Sequence, residues 1–130
     1  GDLRVTVTGA DGRPVPGAKV AVRMKRHAFG FGTAINSEWL VGGDSPDNQR
    51  YRETLLKYFN KAVFEDDIKW PKWIESSPEG KHRRELVIRA LDWMDEHKIT
   101  PRGHVMVWPS WRYMPESIRA FENDPPRLRQ

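Results

Sequence analysis

The feature that most constrains this chain is a repeated change of hydrophobic period, from short apolar runs to helical spacing and back. Phe29-Gly30-Phe31-Gly32-Thr33-Ala34-Ile35 reads as a short strand rich in small residues. Ser45-Pro46 then supplies an N-cap followed by proline at the first helical position, and Tyr51, Leu55, Tyr58 and Phe59 follow at helical spacing. A second strand, Ala62-Val63-Phe64, runs into the polar cluster Glu65-Asp66-Asp67-Ile68-Lys69-Trp70. A loop containing Pro71 and Pro78 leads to a second helix whose apolar face is Leu86, Val87, Ala90, Leu91 and Met94, with Asp92 and Asp95 turned away. Thr100-Pro101 ends that helix, a third strand is expected over residues 104–108, and a third helix over 115–121. Asn123-Asp124-Pro125-Pro126 reads as loop. Strands alternating with helices in this way imply an α/β fold, with parallel strands joined by right-handed crossovers.

Ahead of the first strand the pattern is different. Leu3, Val5 and Val7 alternate with Arg4, Thr6 and Thr8; after the turn-rich stretch Asp11 to Gly17, alternation resumes at Val20, Val22 and Met24. Two such runs around Gly/Pro punctuation read as a β-hairpin or part of a small β-sandwich. The expected division is residues 1–27 for this element and 28–130 for the first βα units.

Composition narrows the chemistry. The chain has no Cys, which excludes disulfides, thiolate metal sites and cysteine nucleophiles. His27, His82, His97 and His104 are dispersed, with no paired-histidine helix motif, so no metal site is expected. Gly30 and Gly32 lack the third glycine of a dinucleotide loop, no phosphate-cradling loop is present, and no Ser-His-Asp signature stands out; no cofactor is expected. The net charge of +4 comes from scattered bases interleaved with acids, as at Glu65, Asp66 and Asp67, which suits solvated surface and not a nucleic-acid face. No apolar run approaches the roughly 20 residues of a membrane span. Residues 1–20 lack the layout of a signal peptide, and the start at Gly1 reads as processed or engineered. Six Trp in 130 residues is a high count, and indole faces serve both cores and the stacking of sugars or bases.

In parallel α/β folds, binding groups gather where strands end and the next loop begins. Two clusters occupy such positions: Glu65, Asp66, Lys69 and Trp70 after the second strand, and His104, Trp108 and Trp111 around the third. Carboxylates, an ammonium and an imidazole beside indole faces suit a ligand with many hydroxyls. A purely structural reading stands beside this one. Glu65 and Lys69 have the spacing of a helical surface ion pair, worth well under about 1 kcal/mol, while His104, Trp70 and Trp108 suit core positions.

Three ordered blocks resemble glycoside hydrolase family 10, the endo-β-1,4-xylanase family. Val63-Phe64-Glu65-Asp66-Asp67-Ile68-Lys69-Trp70 resembles that family's Glu-Asn-x-x-Lys-Trp signature after barrel strand two. Arg102-Gly103-His104-Val105-Met106-Val107-Trp108 resembles its Arg-Gly-His-x-x-x-Trp at strand three. Phe29 to Ile35 resembles its first-strand Phe-Gly-x-Ala pattern. The leading hairpin, running straight into strand one, is similar to the plant-type branch. The resemblance implies the N-terminal part of a (β/α)8 TIM barrel, strands one to three, in a retaining glycosidase acting on β-1,4-xylan or a related polysaccharide.

By the same resemblance, Glu65 and Lys69 match positions that hydrogen-bond a xylose on the non-reducing side of the cleavage point. His104 matches a contact to the sugar being cleaved, and Trp70 and Trp108 match aromatic walls of the cleft. Asp66 stands where the family usually has Asn, and an ionised Asp only accepts hydrogen bonds. Pro109 and Trp111 also depart from the family's usual His and Gln. The two catalytic Glu of the family follow strands four and seven, so none is expected among these residues, and the 130-residue chain alone is expected to be inactive. The implied partners are a xylan-type polysaccharide or oligosaccharide and a downstream segment or second chain completing the barrel. A non-catalytic carbohydrate-binding or structural module derived from the same fold is the alternative. The substrate class favours a secreted or periplasmic setting.

Overall fold

A computed structural model of the chain describes residues 2–105 and 107–129. The sheet has three strands, β1 (Gly32–Ile35), β2 (Lys61–Phe64) and β3 (Thr100–Arg102), in that order. Both pairings are parallel: Ile35 lies opposite Phe64, and Val63 opposite Arg102. Between β1 and β2 run helices α1 (Ser37–Val41) and α2 (Pro46–Tyr58); between β2 and β3 run α3 (Trp70–Ile74) and α4 (Pro78–Glu96). The alternation read from the sequence is therefore present as an α/β unit with a three-stranded parallel sheet.

The long helices begin where their capping residues dictate. The Ser45 hydroxyl accepts the Asn48 N–H at 3.2 Å at the head of α2, and the Ser77 hydroxyl accepts the Gly80 N–H at 3.1 Å at the head of α4. Each is followed by proline, which has no N–H to lose there. Gly80 is required by packing: a β-carbon on it would run into the Glu75 carbonyl oxygen. At its far end α4 is closed by the Ile99 N–H, which donates to the Met94 carbonyl at 2.8 Å across a left-handed Lys98 (φ 59°).

One face of the sheet carries the core. Ile35, Ala62 and Phe64 meet Leu40 of α1, Leu55 of α2, and Val87, Ala90 and Met94 of α4, with Ile99 closing the cluster ahead of β3. Leu40, Ala90 and Met94 have no accessible surface. Burying a side chain the size of Leu40 or Met94 is worth about 1.5–3 kcal/mol, so this face anchors the unit. The opposite face is lined by small groups: Gly32 and Ala34 are exposed and Val63 is half-buried. Strand alternation sets this division, since Ala62 and Phe64 point to the helices and Lys61 and Val63 away from them.

Several expectations are corrected. The third strand is Thr100–Arg102 and not residues 104–108, because pairing begins where the Thr100 N–H reaches the Asn60 carbonyl at 3.0 Å. Of the expected strand, Met106 lies outside the described residues. The third helix is the shorter α5 (Glu116–Arg119). In α2, Leu55 is buried and Tyr51 and Phe59 half-buried, but Tyr58 turns outward, where the Lys57 ammonium lies 5.2 Å from its ring. The short helices α1 and α3 were not anticipated. Ahead of Gly32, the Asp11–Gly12 turn closes through Val15 N–H to Val7 carbonyl (2.9 Å) and one antiparallel bridge, Thr8 to Pro14. Among the described residues this segment carries no longer ladder, and Leu3, Val20, Val22 and Met24 are exposed.

Candidate functional site

Parallel register brings the C-terminal ends of all three strands to one edge of the sheet. There the Glu65 N–H donates to the Ile35 carbonyl at 2.9 Å, the last bond between β1 and β2. The three carboxylates that follow β2 then go separate ways. Glu65, one residue past the end of β2, is exposed, and among the described residues its side chain makes no hydrogen bond.

Asp67 turns back toward α1. One of its oxygens accepts both the Ser37 N–H (3.0 Å) and the Ser37 hydroxyl (2.7 Å), and Ser37 is buried. Next to it the Asn36 side chain caps α1 by accepting the Glu38 and Trp39 N–H groups, while the Asn36 N–H donates to the Tyr51 hydroxyl at 3.1 Å. Burial pushes the Tyr51 hydroxyl pKa up. The bond from Asn36 opposes this, and the nearby Glu65 and Asp67 carboxylates add to the rise. Tyr51, Asn36, Ser37 and Asp67 thus tie the ends of β1 and β2 to the first two helices.

Asp66 meets the bases. Its Oδ1 lies 2.6 Å from the Lys69 Nζ, and its Oδ2 pairs with the Lys72 Nζ. Partial desolvation pushes the Asp66 carboxyl up, but hydrogen bonds and charge from Lys69 and Lys72 outweigh it and hold the group below its usual range. The Lys69 ammonium also stands 5.4 Å from the Trp108 ring and 5.9 Å from the Tyr113 ring, and these two rings pack 4.8 Å apart. An ammonium over aromatic faces is attracted by the ring quadrupole.

Of the anticipated site residues, Asp66, Lys69 and Trp108 are in one cluster. Lys69 pairs with Asp66, so the surface pair between Glu65 and Lys69 is not formed. Trp70 opens α3 and is half-buried; Trp111 opens a short 3-10 turn (Trp111–Tyr113) and is exposed. His104 is exposed beyond β3, and among the described residues it makes no hydrogen bond. The β2–β3 pairing ends at Val63 and Arg102, so Glu65 stands one residue past β2 and His104 two past β3, at the same end of the sheet. Lys72, Tyr113 and Asp67 were missed as parts of this edge. Lys72 and Tyr113 carry no periodic signal, and Asp67 reads the same as its acidic neighbours. No group of metal-binding side chains occurs among the described residues, and no helix among them is long and apolar enough to cross a membrane.

Comparison with known proteins gives this edge a context. The anti-sigma-I factor RsgI6 of Acetivibrio thermocellus is 27% identical over 121 residues, covering 93% of this chain and 15% of that protein. Endo-1,4-beta-xylanase 1 of Arabidopsis thaliana is 32% identical over 107 residues, covering 82% of this chain and 10% of the relative. Endo-1,4-beta-xylanase 2 of the same plant is 27% identical over 101 residues, 78% and 9% respectively. The chain thus spans no more than about a seventh of the curated relatives it matches. A family model, Glycosyl hydrolase family 10, matches residues 21–129, and that match includes β1 to β3 and every residue of the clustered edge. The chain belongs to glycosyl hydrolase family 10.

Proposed function

We propose that this chain supplies strands one to three of a (β/α)8 barrel in a retaining glycosidase acting on β-1,4-xylan or a related polysaccharide, and with them the non-reducing-side half of the substrate cleft. Residues 28–130 are the first βα units and residues 1–27 a β-hairpin or small β-sandwich element leading into them. Three strands are a minority of a barrel that needs roughly 250 residues. In a barrel the helices lie outside, so the face lined by Gly32, Ala34 and Val63 becomes the interior, and the edge beyond it becomes the mouth.

The observation that supports the reading is the parallel sheet, whose strand ends bring the segments carrying Glu65 and His104 to one edge, with Lys69 held against Asp66 and near the Trp108 ring on that edge. Glu65, Asp66, Lys69 and His104 orient sugar hydroxyls; Trp70 and Trp108 offer apolar walls to the faces of the rings. These roles are positional. The general acid/base and the nucleophile are two Glu supplied from outside these 130 residues, about 5–5.5 Å apart across the scissile bond as retention requires.

Two measurements test this. In a polypeptide carrying the whole barrel, Glu65→Ala and His104→Ala each weaken xylohexaose binding about tenfold by calorimetry, the loss expected of a charged or polar hydrogen bond to substrate. The 130-residue chain alone hydrolyses neither xylan nor aryl xylosides. Specific turnover by that chain, unchanged affinity in both variants, or binding without turnover by the complete polypeptide would each overturn the proposal.

A further inference from the structure

Lys72 stands outside the signature that links this chain to its family, yet its ammonium reaches the same carboxylate as Lys69. The two bases are three residues apart in one short turn, Lys69 as the residue before α3 and Lys72 inside its first turn. Like charges so close repel, and Asp66 lies between them with one oxygen on each. Of the two bases Lys72 is the more exposed, 42% against 22% for Lys69, so Lys69 is the ammonium that faces inward toward the rings of Trp108 and Tyr113.

We propose that Lys72 is a positioning residue for the sugar-binding edge: by holding one oxygen of Asp66 it fixes the carboxylate, so that the other oxygen keeps the Lys69 ammonium at the Trp108 and Tyr113 faces. The inference rests on the sugar-cleft reading above. An aspartate and not an asparagine is what this arrangement needs. A carboxylate accepts from both lysines at once, whereas an amide offers one oxygen and turns its NH₂ donors toward the second ammonium. Asp66 and Lys72 therefore act as a coupled pair, and the two lysines with their shared carboxylate keep one net positive charge at the edge where a sugar hydroxyl oxygen is to be bound. The depressed Asp66 pKa agrees with a carboxylate that stays ionised into mild acid.

The test is a double-mutant cycle read by xylohexaose calorimetry, in the complete polypeptide, with Lys72→Met, Asp66→Asn and the pair combined. Lys72→Met weakens binding roughly threefold, in the range measured for partly exposed ion pairs. Lys72→Arg restores it. In the Asp66→Asn background, Lys72→Met has no effect or improves binding, because it removes a charge left without a partner. The pH profile adds a readout that a merely structural role would not move. Asp66 has a depressed pKa, so its contribution is present above the usual carboxylate range and lost as pH falls through the folded value; Lys72→Met moves that acid limb to higher pH. Equal effects of Lys72→Met in both backgrounds, or an unmoved acid limb, would overturn the role of Lys72 alone. Failure of the unmodified polypeptide to bind xylohexaose would overturn the cleft reading and this inference with it.

Discussion

Replacing Asp67 with alanine tests the joint between β2 and α1. Its carboxylate is the partner of two donors on one buried residue, the Ser37 N–H at 3.0 Å and the Ser37 hydroxyl at 2.7 Å. Ser37 is 1% exposed, so water does not readily replace what is removed. A stranded buried donor costs about 1–3 kcal/mol, and two adjacent ones relaxing together put Asp67→Ala at about 3 kcal/mol. Ser37→Ala behaves differently. It deletes the hydroxyl along with its need for a partner and keeps the N–H bond, for a loss of about 1 kcal/mol. The double variant strands only the N–H, at about 2 kcal/mol, less than Asp67→Ala by itself. Urea unfolding with unchanged m-values measures all three. If Asp67→Ala costs under about 1 kcal/mol, or if the single losses simply add in the double variant, the joint does not work through stranded donors and the argument fails.

Asn60 offers a second test, since its Oδ1 accepts the Phe31 N–H (2.8 Å) while its Nδ2 donates to the His27 (3.1 Å) and Phe29 (2.8 Å) carbonyls. Asn60→Ala is expected to cost about 1–2 kcal/mol, and Asn60→Asp more because it sets a carboxylate against two carbonyls; amide exchange at Phe31 and urea unfolding report both. Lys98 sits at φ 59° in the turn that ends α4, so Lys98→Gly is expected to raise stability by about 0.5–1 kcal/mol in the same unfolding assay. A loss on Lys98→Gly would mean that the side chain stabilises the turn in some other way.

The layout of the sheet was legible because it rests on strong local signals. Ser45-Pro46 announces α2, and the apolar stripe from Leu86 to Met94 has no reading but a helix packed on one face. The third strand was misplaced for a physical reason. The apolar look of residues 104–108 competes with pairing, and pairing is decided by where α4 delivers the chain beside Lys61–Phe64. The β-runs before Gly32 show the same limit from the other side. Their alternation is real, but a ladder needs a covered face, and a two-stranded hairpin by itself is marginal. Within the site, period two ends at Phe64. Beyond it nothing in the string Glu65-Asp66-Asp67 tells which carboxylate is left exposed, which meets lysines and which ties down a helix; only the turn geometry separates them.

Pro101 shows how this edge tolerates a residue that strands ordinarily exclude. The Thr100 N–H points to β2, where it donates to the Asn60 carbonyl, so alternation turns the nitrogen of the next residue to the other side. Proline there removes no bond between β2 and β3 and takes one donor from the far side of β3, the side that a fourth strand of the proposed barrel would face. Placed one residue earlier, it would have removed the bond that starts the strand. The same alternation sends Arg102 to the face opposite the core, where Val63 already points. The proline expected to end the helix is thus compatible with the strand it sits in, and the register it leaves intact carries the chain to the edge on which the sugar-binding proposal depends.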